Sequence, residues 1–295
     1  MKIVVSSGKY IVAVSGGVDS VVLLDLLSRQ PDLELVVAHF DHGIRTDSEA
    51  DRQFVASLAK KYGLAFLYQE GQLGSSASES KAREARYAFL ERSREKTKSF
   101  SIITAHHQDD LLETMVLNFL RGTGRQGFSS LQSSSAILRP LLDFSKAELI
   151  DYANDQALVW REDITNSNDS YRRNYIRHNI MPKLINADRQ QLVEINQKFS
   201  KLNSQIDKQL SDLIDLHSFN GALERQWFLS LPHDLSKEVL IMWLKSQGVS
   251  GLDRSFIENL SIAAKTHIPT KRFSMGNRRF LKVESQHLAL QYQDR

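Results

Sequence analysis

The chain has 295 residues, 41% of them hydrophobic and 25% charged, and a net charge of +3. That length and composition fit a globular protein of one large or two ordinary domains with a sizeable core. Cysteine is absent, which excludes disulfides, thiolate metal sites and a catalytic thiol. The longest apolar runs, such as residues 21–27, are too short to span a bilayer. The opening Met-Lys-Ile-Val-Val-Ser-Ser-Gly lacks the plan of a signal peptide, so a cytoplasmic location is expected.

From residue 10 to 156 strand-like and helix-like patterns alternate. Residues 11–14, 33–40, 64–69 and 100–105 read as strands, and 20–28, 48–61, 79–98 and 109–121 as amphipathic helices. Such alternation predicts an α/β fold, a doubly wound parallel sheet with helices on both faces. Ser145-Lys-Ala-Glu148 is a capping box that opens a further helix. After about residue 185 the texture changes. Residues 188–218 read as one long helix and 222–262 as shorter helices. Strands follow at 271–273, 279–284 and 287–292, with a hairpin turn at 284–286. A boundary near 185 is therefore expected, separating an α/β domain (1–185) from a smaller, mainly helical domain (186–295).

The first strand runs into Ser15-Gly-Gly-Val-Asp-Ser20, and an apolar helix leaves the turn at once. Backbone N–H groups at a helix N-terminus favour an anion, most obviously a nucleotide phosphate. Gly16 and Gly17 allow close approach, and Ser15 and Ser20 can add hydroxyl donors. Neither the P-loop pattern with its phosphate-binding lysine nor the dinucleotide glycine pattern is present. Asp19 stands there instead, which suits Mg²⁺ or a cationic substrate group.

Ligands collect at the carboxyl ends of parallel strands, and two more polar clusters fall there. His39-Phe-Asp41-His-Gly-Ile-Arg45 follows the second strand, and His106-His-Gln-Asp-Asp-Leu-Leu-Glu113-Thr114 follows the fourth. Asp110 and Glu113 share a helix face, and Asp109 points about 100° away. Two such carboxylates suggest Mg²⁺ or a bound ammonium, with dipole stabilisation or a metallohydrolase site as alternatives. A third signal is Trp160-Arg-Glu-Asp-Ile-Thr-Asn166 with Tyr171-Arg-Arg-Asn-Tyr-Ile-Arg-His178. Arg172, Arg173, Arg177, His178 and Lys183, interleaved with tyrosines, have the composition that grips phosphates and stacks on unpaired bases. Arg121 and Arg125 add a basic loop. Residues 81–98 read mainly as scaffold, with Glu84, Glu91 and Glu95 partnering its basic residues.

Taken together, the 15–20 turn resembles the loop of N-type ATP pyrophosphatases, the PP-loop superfamily. Within it the chain is similar to the tRNA(Ile)-lysidine synthetases, in their short form with a single accessory domain. The matching segments are Asp41–Arg45, Ala82-Arg-Glu-Ala-Arg-Tyr87, His106–Thr114, Arg121-Gly-Thr-Gly124, Arg139-Pro-Leu-Leu142, Arg161–Asn166 and Arg173–Arg177. Leu111 and Thr165 depart from the family pattern, standing where it has a polar residue and a serine.

The resemblance implies that ATP is cleaved to AMP and pyrophosphate to adenylate C2 of cytidine 34 in the CAU anticodon. Lysine then displaces AMP to give lysidine, and decoding changes from AUG to AUA. It implies Asp19, Asp110, Glu113 and Arg177 as catalytic residues. Ser15, Gly16, Gly17, Val18, Asp19, Ser20, His39, Asp41 and His106 would bind ATP, with Mg²⁺ at Asp19. Arg83, Arg86, Arg121, Arg125, Arg172, Arg173 and Lys183 would contact tRNA. Dimers are implied for some members. Thiolating relatives depend on cysteines that this chain lacks, amidating synthetases lack the arginine block, and a nucleotide- or RNA-binding regulator is the non-enzymatic alternative.

Overall fold

The computed structural model describes residues 1–41, 43, 48–71, 79–161, 172–249, 251–266, 272–275 and 279–292. The expectations on Arg45, Glu162–Asn166 (Thr165 included) and Tyr171 lie outside the described residues. Two compact units are present, Met1–Ser200 and Lys201–Arg295.

The first unit is built on a five-stranded parallel sheet: β1 Gly8–Ala13, β2 Leu33–Asp41, β3 Ala65–Glu70, β4 Ser101–Ile103 and β5 Ile137–Leu138, in the order β3-β2-β1-β4-β5. Between them run helices α1 Val18–Ser28, α2 Ser48–Lys61, α3 Glu79–Thr97 and α4 Gln108–Leu120. Helix α5, Lys146–Asp155, follows β5 and starts at the expected capping box, Glu148 N–H donating to Ser145 Oγ at 3.3 Å. Alternation along the strands sorts the core into two layers. Val12, Val37 and Ile103 pack with α1, α2 and α5 residues such as Leu23, Val55 and Leu149. Ile11, Val36 and Ile102 pack on the other face with Phe89 and Leu90 of α3. Because both faces are covered, these strands read as continuous apolar runs.

The chain leaves β1 toward β2 on one side and later returns to place β4 on the other. A crevice therefore opens between the carboxyl ends of β1 and β4, where the strand order reverses. The walls of this crevice are tied together beneath it by Asp25 of α1, which is 5% exposed. Its carboxylate accepts hydrogen bonds from Tyr62 (2.9 Å), from Tyr152 of α5 (2.7 Å) and from Arg29 Nε (2.9 Å). Burial and this carboxylate push the Tyr152 phenol up to about 12 and raise Tyr62 as well.

Helix α6, Arg172–Tyr175, runs into a π-helical turn and a 3₁₀ turn before α7, Asn186–Leu216. The two units divide within α7 because its first turns are bound into the first unit. Asn196 donates to Phe128 O at 2.7 Å, and Phe199 stacks on Phe128 at 5.1 Å. The second unit contains α8 Arg225–Ser230, α9 His233–Ser246 and α10 Arg254–Thr266. It also holds an antiparallel sheet, in which β6 Ser218–Phe219, β7 Ala222–Glu224, β8 Arg272–Ser274, β9 Arg279–Val283 and β10 His287–Tyr292 are ordered β6-β7-β10-β9-β8. The hairpin at 284–286 is as expected, with Glu284 N–H donating to His287 O at 2.8 Å. Residues 222–224, expected to open a helix, pair with β10 instead. Three residues are too few to display a periodicity. Trp243 and Phe228 fill the core of this unit. Among the described residues no helix is long and apolar enough to cross a membrane.

Asp25→Ala would strand two half-buried phenols and release α5 from α1. A loss of about 2–4 kcal/mol in urea-unfolding stability is expected, and Tyr152→Phe should cost less.

Candidate active site

Residues 15–20 form a closed turn. The Ser20 hydroxyl accepts from the N–H groups of Ser15 (3.2 Å) and Gly16 (3.1 Å) and donates to Gly17 O at 2.9 Å. In this state Ser20 braces the loop rather than facing outward, while Ser15 remains exposed. Gly16 sits at φ 97°, and a Cβ there would lie 3.3 Å from the Phe54 ring. Gly17 precedes α1 with no side-chain cap, and Val18 and Asp19 follow as its first residues. The N–H groups of that first turn thus face the crevice at the positive end of the dipole.

At the end of β2, His39 is buried and its Nδ1 lies 2.8 Å from Val14 O, so it donates to the backbone that leads into the loop. Asp41 accepts from Gly43 N–H at 2.8 Å and from Tyr68 OH at 3.3 Å. Both residues shape the rim of the crevice.

Helix α4 carries the acidic cluster. Asp109 accepts from Arg189 Nη1 (2.6 Å) and from Lys146 N–H (2.8 Å). On the other face, as the helical spacing requires, Asp110 and Glu113 meet the arginines of residues 172–180. Arg173 donates through Nε to Glu113 and through Nη2 to Asp110, both at 3.0 Å. Arg177 donates to Glu113 through Nε at 2.6 Å and Nη2 at 3.0 Å. The π-helical turn 176–180 begins between these arginines, and Ile176 anchors it in a cluster with Leu112, Met115, Met181 and Val193. Glu113 is only 1% exposed. Burial works against the Asp110 carboxylate, but His107, Arg173 and the His107 N–H outweigh it and hold Asp110 below the usual carboxylate range. Leu111, the departure from the family pattern, is buried in the core.

His107 links the first-strand loop to the fourth-strand helix. Its Nε2 lies 3.7 Å from Asp19 and 3.5 Å from Asp110, and its Nδ1 is buried without a hydrogen-bond partner. His106 Nδ1 is 2.9 Å from Thr104 Oγ1. Burial, aided by Arg139, Arg86 and Arg83, lowers the His106 imidazole to about 3 despite Asp110. Arg83 and Arg86 lie over the Tyr87 ring at 4.8 and 5.4 Å. Burial also pulls the Arg86 and Arg139 guanidiniums below the ordinary arginine value. Arg121, Arg172 and Lys183 are exposed, and Arg125 opens a 3₁₀ turn after α4.

Lys146, Arg189 and Arg139 were not singled out from the sequence as site residues. Lys146 Nζ is 2.6 Å from Asp19 Oδ1. The available signal was its place directly after the Ser145 cap. The strand that brings this helix to the crevice, β5, has two residues and no readable pattern. Among the described residues no three His, Asp or Glu side chains are grouped as metal ligands. Mg²⁺ commonly takes one or two carboxylates together with phosphate oxygens. Asp19, on the first turn of the loop helix, fits that kind of shared site.

A strand-one loop at a helix N-terminus, facing a helix of paired carboxylates across a strand-order reversal, is the plan of an α/β domain of the phosphate-loop kind. The chain belongs to the PP-loop domain family, whose model matches residues 2–184. It is 38% identical over 182 residues to the tRNA(Ile)-lysidine synthase of Solibacter usitatus, covering 61% of this chain and 41% of that protein. With the tRNA(Ile)-lysidine synthase of Persephonella marina it shares 32% identity over 272 residues, covering 87% of this chain and 60% of that protein. The chain thus spans about half the length of these relatives. The resemblance read from the motifs is borne out. The U34-tRNA thiolase NcsA from Methanococcus maripaludis shares the fold, with a TM-score of 0.55 at 17% identity over 67% of this chain and 73% of that one.

Gly16→Ala forces a side chain into a left-handed backbone against Phe54; a stability loss of about 1–3 kcal/mol is expected in thermal unfolding. The His106 imidazole should stay neutral in NMR titrations from pH 8 down to about pH 4, and a midpoint near 6.5 would show an open, solvated site. An unfolded chain takes up that proton near 6.5. The folded one does so only near 3. His106 therefore contributes stability above pH 6.5 that is lost progressively as pH falls toward 3.

Proposed function

We propose that the chain is a cytoplasmic ligase that joins lysine to C2 of cytidine 34 in the CAU anticodon of tRNA(Ile), using ATP. The observation that carries this reading is the position of His107 Nε2, 3.7 Å from Asp19 of the loop helix and 3.5 Å from Asp110 of the acidic helix. That position supports reading the loop turn and the Asp110/Glu113 face as parts of one crevice, for nucleotide and amine respectively. The similarity to tRNA(Ile)-lysidine synthases over the PP-loop domain supports the choice of substrates.

The C2 carbonyl oxygen of the cytidine attacks the α-phosphate of ATP, and pyrophosphate leaves. The ε-amine of free lysine then attacks C2, AMP departs with that oxygen, and the amine loses a proton. The first-turn N–H groups of α1 stabilise the leaving phosphates. Mg²⁺ bound at Asp19 would supply further neutralisation of the pyrophosphate charge. Asp19, Asp110 and Glu113 orient the amine and take its proton, which an unperturbed amine with a pKa of about 10.4 does not release readily at neutral pH. Arg173 and Arg177 fix the two carboxylates and leave guanidinium edges for phosphate. Neutral His106, with Arg83, Arg86 and Arg139 around Tyr87, forms a basic wall suited to the RNA backbone. Arg121, Arg125, Arg172 and Lys183 extend it. The target base must unstack to enter, which a loop nucleotide does readily.

Incubation with ATP, Mg²⁺, lysine and tRNA(Ile) carrying CAU should give AMP and a lysine-modified cytidine in equal amounts. Asp110→Asn should lower lysine transfer by roughly 10²–10⁴-fold while ATP still binds. AMP without lysine incorporation would overturn the ligation. Absence of any nucleotide cleavage would favour a nucleotide- or RNA-binding regulator.

A further inference from the structure

The loop motif carries no lysine, yet an ammonium stands against its helix. Lys146 is the first residue of α5, and three contacts fix where that helix begins. Ser145 and Glu148 close the capping box, the Lys146 N–H donates to Asp109 Oδ2 at 2.8 Å, and Tyr152 ties the helix to Asp25 of α1. The Nζ group is thereby delivered to within 2.6 Å of the Asp19 carboxylate, on the first turn of α1.

The cations of this crevice are not held alike. Arg173 and Arg177 are each fixed by more than one hydrogen bond to Glu113 and Asp110, and Arg189 by Asp109 and Met181 O. Lys146 makes one ammonium contact to one carboxylate, with side chains 39% and 27% exposed. A partly solvated single-contact pair exchanges partners at little cost, whereas moving Arg173 or Arg177 would take from buried Glu113 one of its two partners. A lysine ammonium on a flexible stem is also the usual point charge for a terminal phosphate.

We propose that Lys146 binds the β- or γ-phosphate of ATP, leaving Asp19 when the nucleotide enters. In this way α5 supplies from a distant part of the chain the cation that other phosphate loops carry within their own motif. This inference rests on the ATP reading above.

The test is equilibrium binding of a non-hydrolysable ATP analogue and of AMP to the wild-type chain, Lys146→Ala and Lys146→Arg, with thermal unfolding of each unliganded form. The alanine variant should bind the triphosphate about tenfold or more weakly, bind AMP within twofold of wild type and unfold at nearly the same temperature. The arginine variant should recover part of the triphosphate affinity. Equal losses for AMP and the triphosphate, or an unchanged triphosphate affinity, would overturn the role of Lys146. A wild-type chain that binds neither nucleotide would overturn the ATP reading itself, and this inference with it.

Discussion

A carboxylate that is 1% exposed is costly to bury without partners, and Glu113 is such a group. Its partners, Arg173 and Arg177, lie some sixty residues further along the chain, on a short helix and a π-helical turn. Charge balance at this one position therefore draws residues 172–180 onto α4. Arg189 of α7 repeats the device one turn away on Asp109. The packing of Ile176, Met181 and Val193 against Leu112 and Met115 then fills the space beneath these pairs. Remove the buried charge, and the wall of the crevice loses its reason to be there.

The same pairing changes how the polar residues divide their work. Read along the sequence, Asp110 and Glu113 belong to one cluster and Arg173 and Arg177 to another, one set for an amine and one for phosphate. In three dimensions they form a single, nearly neutral network. The carboxylates are oriented by the guanidiniums, and the guanidiniums by the carboxylates. The crevice is polar without carrying a large excess of either sign.

Much of this was legible in the sequence, for identifiable reasons. The parallel sheet shows because strands buried on both faces are continuous apolar runs, as in residues 33–41, and because α2 begins and ends where its pattern does and α5 begins at its capping box. The loop shows because glycines, serines and an aspartate between a strand and a helix have few other uses. The joint face of Asp110 and Glu113 follows from helical spacing alone. What did not show depends on contacts between distant segments. Lys146 reaches Asp19 across 127 residues, and β5 is two residues long. The inward role of Ser20 was hidden for another reason. A hydroxyl can face a ligand or its own backbone, and only the closed turn decides between them.

That closed turn bears on kinetics. Because Ser20 holds the N–H groups of Ser15 and Gly16 and the carbonyl of Gly17, the loop has its shape before any ligand arrives. On the proposed ATP reading, a nucleotide would meet a preorganised cradle, with little backbone entropy to surrender in ordering it. On that reading the encounter rate would be set by diffusion and orientation rather than by a folding step in the loop, and selectivity among phosphorylated ligands would be left to how long each one stays.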